Sequence, residues 1–372
     1  MSETCTQGAR TDVTAIKKYI GQVSEVRSGA EFDVARLGRY LAEAIPGFAG
    51  PLTVKQFDGG QSNPTYLLTT PGARYVMRRK PPGVLLKSAH AVDREFRVTQ
   101  ALKSVGYPVP QPLCLCEDPD VIGTIFYVME HVEGRVFWDS KMPDLAPEER
   151  KAIYDSANET LARLHQVDYA AIGLEDYGRP GNYFARQISR WSQQYQQSQT
   201  RTIAAMDKLI EWLPTAVPED DGRSTIIHGD FSFHNLIVHP TEPRIIAVID
   251  WELSTIGHPL GDLMYHCMEW YRPEGVDDRG TLNGADLATL GIPTLGEYVA
   301  AYSARTGIEV SAAAFGFYRA FNLFRVAAIL QGVAGRLRDG VATDSSAERI
   351  IARIEPLANA ALAEARAAGA RI

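Results

Sequence analysis

The sequence predicts an α+β fold of two lobes: a small, mostly antiparallel β lobe with one main helix, then a larger, mostly helical lobe. Three observations predict it. Short apolar runs punctuated by Gly, Pro and Asn turns fill the first third of the chain. Long helical periodicities dominate from Glu148 onward. One compact β-like stretch, residues 224–251, interrupts those helices. The 372 residues, 45% of them hydrophobic, are enough for two lobes with a sizeable buried core.

The elements follow in order. Val34, Leu37, Leu41 and Ile45 recur at helical spacing, predicting a helix over 31–45 that Pro46-Gly47 stops. Residues 52–57 and 65–70 read as strands joined by a turn rich in Gly and Asn, and Pro71-Gly72 leads into a third strand, 74–79. Ser88 is a candidate cap for a helix running to Ser104, with Val92, Phe96, Val98 and Leu102 as its apolar side. Two more strands, 113–117 and 124–130, complete five. The boundary falls near 131–134. Beyond it, helices are expected over 148–166, 183–197 and 201–213, with several more between Leu295 and the C-terminus.

Charge and composition exclude several classes. There are 38 basic and 45 acidic residues, a net charge of −7, which suits neither nonspecific nucleic-acid binding nor an anionic membrane surface. With 22% charged and 9% aromatic residues the chain does not read as disordered. Cys5, Cys114, Cys116 and Cys267 form no C-x-x-C pair, so buried reduced thiols are expected, with no zinc ribbon or redox motif. The first ten residues lack the apolar run of a signal peptide, and no apolar stretch reaches the roughly 20 residues of a membrane span. A cytoplasmic protein is the expectation.

The densest polar cluster is His228-Gly229-Asp230-Phe231-Ser232-Phe233-His234-Asn235, followed by the apolar Leu236-Ile237-Val238. Fifteen residues after Asn235, the apolar run 245–249 ends in Asp250. Asn235 and Asp250 thus stand at the mouths of two strands, and a hairpin would gather them with Asp230 at one edge. A carboxylate and a carboxamide suit a hard cation such as Mg²⁺, leaving Asp230 to accept a proton from a hydroxyl. Either residue alone reads equally as a turn former. The ordered set does not.

His228-x-Asp230-x4-Asn235 followed by Ile249-Asp250 resembles the catalytic segment of the aminoglycoside phosphotransferase family, within the protein-kinase-like fold. The resemblance implies that Asp230 is the catalytic base, that Asn235 and Asp250 hold Mg²⁺, and that His228 supports the loop. Gly229 replaces the Arg of protein kinases, and Trp251-Glu252 replaces Phe-Gly, both in keeping with the small-molecule branch. In the first lobe, Gly59, Gly60, Ser62 and Asn63 resemble the family's phosphate-covering turn, although a Gly-Gly pair there also suits an ordinary hairpin. Arg78 stands where the family has its lysine, with Glu95 as the expected partner. Arg79 would face the other side of the strand, and Lys80 is a second candidate. A solvated strand end is the alternative for all three. Glu130 and Val132, where the fifth strand meets the hinge, are expected to hold the adenine edge. Gly257-His258-Pro259-Leu260-Gly261-Asp262-Leu263 resembles a further family segment, in which Asp262 either caps the next helix or bonds to the catalytic loop.

The resemblance covers residues 54–266, and residues 78–83 with 88–95 narrow it to the branch related to the phosphotransferase-like domain fused to some acyl-CoA dehydrogenases. It implies an ATP-dependent, Mg²⁺-requiring transfer to the hydroxyl of a small molecule. Residues 1–131 would be the nucleotide-binding lobe, leader helices plus a five-stranded sheet. Residues 132–372 would carry the catalytic β insert and the acceptor site. The stretch 295–338 mixes aromatics with Arg319, Arg325, Arg336 and Arg338, which suits an anionic or hydroxyacyl acceptor better than an aminoglycoside. Two other readings stay open. One is a metal-dependent hydrolase using His228, His234, His239, His258 and His266 with the nearby aspartates. The other is a non-catalytic nucleotide-binding module.

Overall fold

The structure, a computed structural model, describes residues 21–58, 63–81, 91–276, 279–338 and 347–372. The chain divides into two compact units. One holds the described residues up to Asp93 together with Pro112–His131, and the other holds Arg94–Gln111 and Val132–Ile372.

In the first unit, β1 (Val23–Ser24), β2 (Thr53–Phe57), β3 (Thr65–Thr69), β4 (Arg74–Arg79), β5 (Pro112–Cys116) and β6 (Phe126–Glu130) form an antiparallel sheet in the order β1-β2-β3-β4-β6-β5. Helix α1 (Val34–Ala44) starts at Asp33, whose carboxylate accepts the Arg36 N–H. Alternation in β3 and β5 buries one face. Tyr66, Leu68, Met77, Cys114, Cys116, Phe126 and Val128 meet Leu37 and Leu41 of α1 there. The sheet has six strands, not the expected five: the two-residue β1 is too short to show a period, and only its pairing with Gln56 and Phe57 defines it.

The solvated-strand-end reading of β4 does not hold. Arg78 and Arg79 are 8% and 3% exposed. Arg79 Nη2 donates to the Ala30 carbonyl at 2.9 Å, and its guanidinium lies over Phe32 and Tyr66, 5.2 and 5.3 Å from their ring centroids. Lys80, beyond the strand, pairs with Asp93 at 3.5 Å.

The second unit takes α2 (Val92–Ser104) from Arg94 onward, then α3 (Pro147–His165), α4 (Tyr183–Ser198) and α5 (Ala204–Trp212). After the β insert come α6 (Pro259–His266), α7 (Leu287–Leu290), α8 (Leu295–Thr306), α9 (Phe315–Arg338) and α10 (Ala347–Ala367). The insert has two small antiparallel sheets, not a single stretch. β7 (Thr225–Ile227) pairs with β10 (Thr255–Gly257), and β8 (Leu236–Val238) pairs with β9 (Ile245–Val248). Among the described residues one helical stretch, Ala312–Arg338, is long and apolar enough to cross a bilayer, which corrects the sequence expectation. More than half of its most apolar window is buried within the protein, and Phe317, Phe321 and Phe324 join the unit's core.

Removing the Arg79 guanidinium should cost about 2–3 kcal/mol, since it forfeits a buried charged hydrogen bond and two ring contacts. Urea unfolding of Arg79→Ala would show this as a lowered midpoint. An unchanged midpoint would mean that Arg79 is bystander packing.

Candidate functional site

The loop between β7 and β8 divides its residues by face. Phe231 and Phe233 are pegs in the core: Phe231 meets His266 at 5.4 Å between ring centroids, and Phe233 meets Tyr154 at 4.6 Å. Asp230, Ser232 and His234 alternate with these pegs. The ring of His234 packs against Trp138 at 5.3 Å, and its Nε2 lies 3.9 Å from an Asp230 carboxylate oxygen. Ser232 Oγ donates to Asp230 Oδ1 at 3.0 Å. Asn235 Nδ2 donates to the Asp230 carbonyl at 3.0 Å and to Oδ2 at 3.2 Å. With its amide nitrogen spent there, the carboxamide oxygen is the end of Asn235 left to meet a cation.

The β8–β9 register pairs Leu236 with Val248, and the Ile249 N–H donates to the Asn235 carbonyl at 3.0 Å. Asp250 follows at once, with a left-handed backbone (φ 66°) that few side chains tolerate and Asp tolerates better than most. His228 ties the two ends together. Its Nδ1 accepts the Asp230 N–H at 3.2 Å, so Nε2 carries the proton and donates to the Ile249 carbonyl at 2.9 Å. Trp251 packs against the His228 ring at 4.7 Å.

Asp262 lies beneath this loop, 1% exposed. Its carboxylate accepts the N–H groups of His228 (2.5 Å) and Gly229 (2.7 Å), and His165 Nε2 stands 3.5 Å away. Asp262 therefore bonds to the loop. The cap of α6 is His258, which accepts the Leu260 N–H. Burial alone would raise the Asp262 carboxyl, but His165, His228 and these amides outweigh it and hold it below the usual carboxylate range. Gly229 adopts φ 84°, and a Cβ there would sit 2.6 Å from the Leu253 carbonyl oxygen. No side chain fits, which explains why the Arg of protein kinases is absent.

Asp230 is likewise held low. Burial would raise it, but His234, the Tyr265 hydroxyl, Arg279 and His228 prevail, so it is a carboxylate at neutral pH. His266 is the reverse case. Burial drops it to about 4, and the neutral ring hydrogen-bonds the Phe231 carbonyl through Nδ1 at 3.1 Å.

The family model described as "Phosphotransferase enzyme family" matches residues 53–305. The chain belongs to that family. Over 344 residues it is 44% identical to the acyl-CoA dehydrogenase family member 11 of Gallus gallus, a match that takes in 91% of this chain and 44% of that protein. The chain thus spans less than half the length of that curated relative. A solved protein of Ralstonia eutropha, named for the aminoglycoside phosphotransferases, is 48% identical with a TM-score of 0.81, covering 91% of this chain and 99% of that one. Choline kinase from Cryptosporidium parvum has a TM-score of 0.61 at 14% identity, over 91% and 97% of the two chains, and shares the protein-kinase-like fold alone.

The structure brings His228, Asp230, Asn235 and the strand end at Ile249 into one hydrogen-bonded cluster, with Asp250 the next residue along the chain. In the first unit Arg78 is buried on β4, Asn63 is buried before β3, and Glu130 ends β6. Glu95 is buried on α2, and Val132 opens the second unit after β6. Gly59, Gly60 and Ser62 lie outside the described residues, as does the candidate cap Ser88. Among the described residues no three His, Cys, Asp or Glu side chains are grouped to hold a metal ion. The histidines of 228–266 are engaged separately: His239 accepts backbone amides at 241 and 242, and His258 meets Asp221 at 3.1 Å. Two contributors had no motif to reveal them, Tyr265 and Arg279, while Arg325 stood out only as one of the basic residues of 295–338. The Arg325 Nη2 donates to the Gly229 carbonyl at 2.7 Å from 96 residues away.

Asp262→Asn should lower stability at pH 7 by about 2 kcal/mol through loss of charged hydrogen bonds. A carboxyl depressed in the native state stabilises above its unfolded pKa of about 3.9 and loses that contribution as pH falls toward the lower native value. Urea midpoints across the acid range should therefore fall less steeply below about pH 4 in the variant than in the parent. Parallel acid limbs would assign the acid sensitivity to other carboxylates.

Proposed function

We propose that the protein is an ATP-dependent small-molecule kinase that transfers the γ-phosphoryl group to an alcohol. The observation that carries this reading is the engaged carboxylate of Asp230. It is ionised, oriented by Ser232 and Asn235, and clamped through His228 to the strand that ends in Asp250. A proton acceptor held by one oxygen-bearing side chain and tied to the strand that precedes another is in keeping with what phosphoryl transfer asks of a protein.

The donor set fits Mg²⁺. Asn235 offers a carboxamide oxygen because its nitrogen is occupied, and Asp250 offers a carboxylate. Two oxygen ligands are typical for an ion that keeps water and phosphate oxygens as its remaining partners. Bound there, Mg²⁺ would neutralise charge on the phosphates. The chain's own work is positioning. The acceptor hydroxyl gives its proton to an Asp230 carboxylate oxygen as its oxygen bonds to the γ-phosphorus. The bond from that phosphorus to the bridging oxygen breaks, and ADP leaves with the electron pair. Arg78, the 59–63 turn, and Glu130 with Val132 are the nucleotide contacts in this reading, with Glu95 the partner of Arg78. Residues up to 131 serve the nucleotide and 132–372 the catalytic loop and acceptor. The relatives' name makes a hydroxyacyl compound a suitable acceptor. Cys114, Cys116 and Cys267 are free and buried, which suits a reducing, cytoplasmic setting. The Arg in place of the family lysine at position 78 supports a second reading, a nucleotide-binding protein without turnover.

Asp230→Asn should cut kcat by about 10²–10⁴ while ATP binding persists, and Asp250→Ala should remove the Mg²⁺-dependent rate. ADP release across a panel of alcohols, with ATP affinity measured by calorimetry, reads both. A parent that binds ATP and phosphorylates nothing favours the second reading. An Asp230→Asn variant near the parental rate would exclude Asp230 as the base.

A further inference from the structure

Among the described residues, two arginines that share the Trp191 ring have no acidic partner, and one of them touches the loop at Gly229. Arg325, on α9, is 4% exposed and spends one N–H on the Gly229 carbonyl. Its guanidinium lies 5.0 Å from the ring centroid of Tyr265 and 5.8 Å from that of Trp191. Its Nε is buried without a hydrogen-bond partner. Arg190, on α4, stands over the same indole at 5.0 Å and keeps solvent contact. Among the described residues neither guanidinium pairs with a carboxylate. A buried cation with an unspent donor and no counter-ion is costly, and a second positive charge close by adds to the cost. The surroundings strip enough water from Arg190, and the Arg325 charge bears on it enough, to hold its guanidinium below its usual range. Planar guanidiniums stacked on aromatic rings suit a carboxylate or a phosphate.

Resting on the reading of Asp230 as the base for an alcohol, we propose that Arg190 and Arg325, stacked on Trp191 beside the Gly229–Asp230 peptide, bind an oxyanion carried by the acceptor molecule. The anion is a carboxylate or a phosphate. Its place argues for the acceptor over the nucleotide. Arg325 reaches the loop at Gly229, the residue before the base, whereas the oxygen donors Asn235 and Asp250 lie at the ends of the β8–β9 hairpin. With its negative group on the arginines, an alcohol is held near Asp230. A polycation such as an aminoglycoside is repelled from the same surface.

The test uses two anionic probes, inorganic phosphate and 3-hydroxybutyrate, with 3-hydroxybutyramide as the neutral match, titrated calorimetrically against the full chain and against Arg190→Gln and Arg325→Lys. Arg190 is exposed, so its variant is expected to fold, and melting curves check Arg325→Lys. At least one anion should bind saturably and the amide should not. Arg190→Gln should weaken the anion about tenfold or more while ATP affinity stays unchanged. Whichever anion binds more tightly names the group. No binding of either anion, equal binding of the amide, or parental affinity in Arg190→Gln would overturn the site. If the anion binds as expected yet no alcohol is phosphorylated, the oxyanion site stands and the kinase reading falls.

Discussion

The site depends on one buried interaction, the acceptance of two consecutive backbone N–H groups by the Asp262 carboxylate. The segment after β7 is neither helix nor strand, and its amides at 228 and 229 have no ladder to join. Left unpaired in the core they would each cost on the order of 1–3 kcal/mol. Asp262 supplies both lone pairs from the first turn of α6, and the left-handed turn at Gly229 becomes affordable. Once that turn is fixed, the direction of Asp230 follows, because His228 spans from the Asp230 amide to the Ile249 carbonyl. One carboxylate thus sets the relation between two ends of chain that the local sequence leaves free.

Around that anchor the loop separates mechanical from chemical residues. Phe231 and Phe233 bury aromatic surface, and the neutral His266 accepts no charge in the core while donating to the Phe231 carbonyl. The alternate positions carry Asp230, Ser232 and His234. Period-2 alternation, the signature of a half-buried strand, here serves an irregular loop: one side is pinned in the core, and on the other Asp230 and His234 keep partial exposure.

Much of the fold was legible because its elements bury one face. The strands at 53–57, 65–69 and 74–79 and the helices at 147–165, 183–198 and 204–212 show their periods plainly, and their ends agree with the sequence expectation to within a few residues. What was not legible shares a physical cause, dependence on partners far along the chain. β1 has two residues and exists only through pairing with β2. β10 lies 30 residues from the β7 strand it joins. A solvated end stayed open for Arg79 because nothing near it in sequence announces Phe32 and Tyr66. The apolar window in α9 resembles a membrane span because a helix packed on several sides loses its polar face. In the site, the order of His228, Asp230, Asn235 and Asp250 along the chain was readable, while the role of Asp262 was open between a cap and a loop contact. The loop amides at 228 and 229 that it accepts, with His258 taking the cap position, decide it.

The separation of loop from helices also bears on how one fold serves different acceptors. The proposed phosphoryl transfer would leave little covalent work to the protein, so the loop would need only to be rigid and correctly charged. Its rigidity comes from backbone hydrogen bonds to Asp262, His228 and Arg325, none of which touches Asp230's carboxylate oxygens. The outside groups that act on Asp230 come from elsewhere, the Tyr265 hydroxyl from α6 and the Arg279 charge from the segment after it, while Arg190 of α4 and Arg325 of α9 meet at Trp191. Side chains on separate helices can be exchanged without disturbing the amides beneath Asp230. Arg325 is the exception, since it holds the Gly229 carbonyl and faces Trp191 at once. A change there would alter the loop and its electrostatic surroundings together, whereas a change at Arg190 would alter only the latter. The consequence is an asymmetry between two arginines that share one indole: the exposed one can change without disturbing the loop, and the buried one is constrained by the loop it supports.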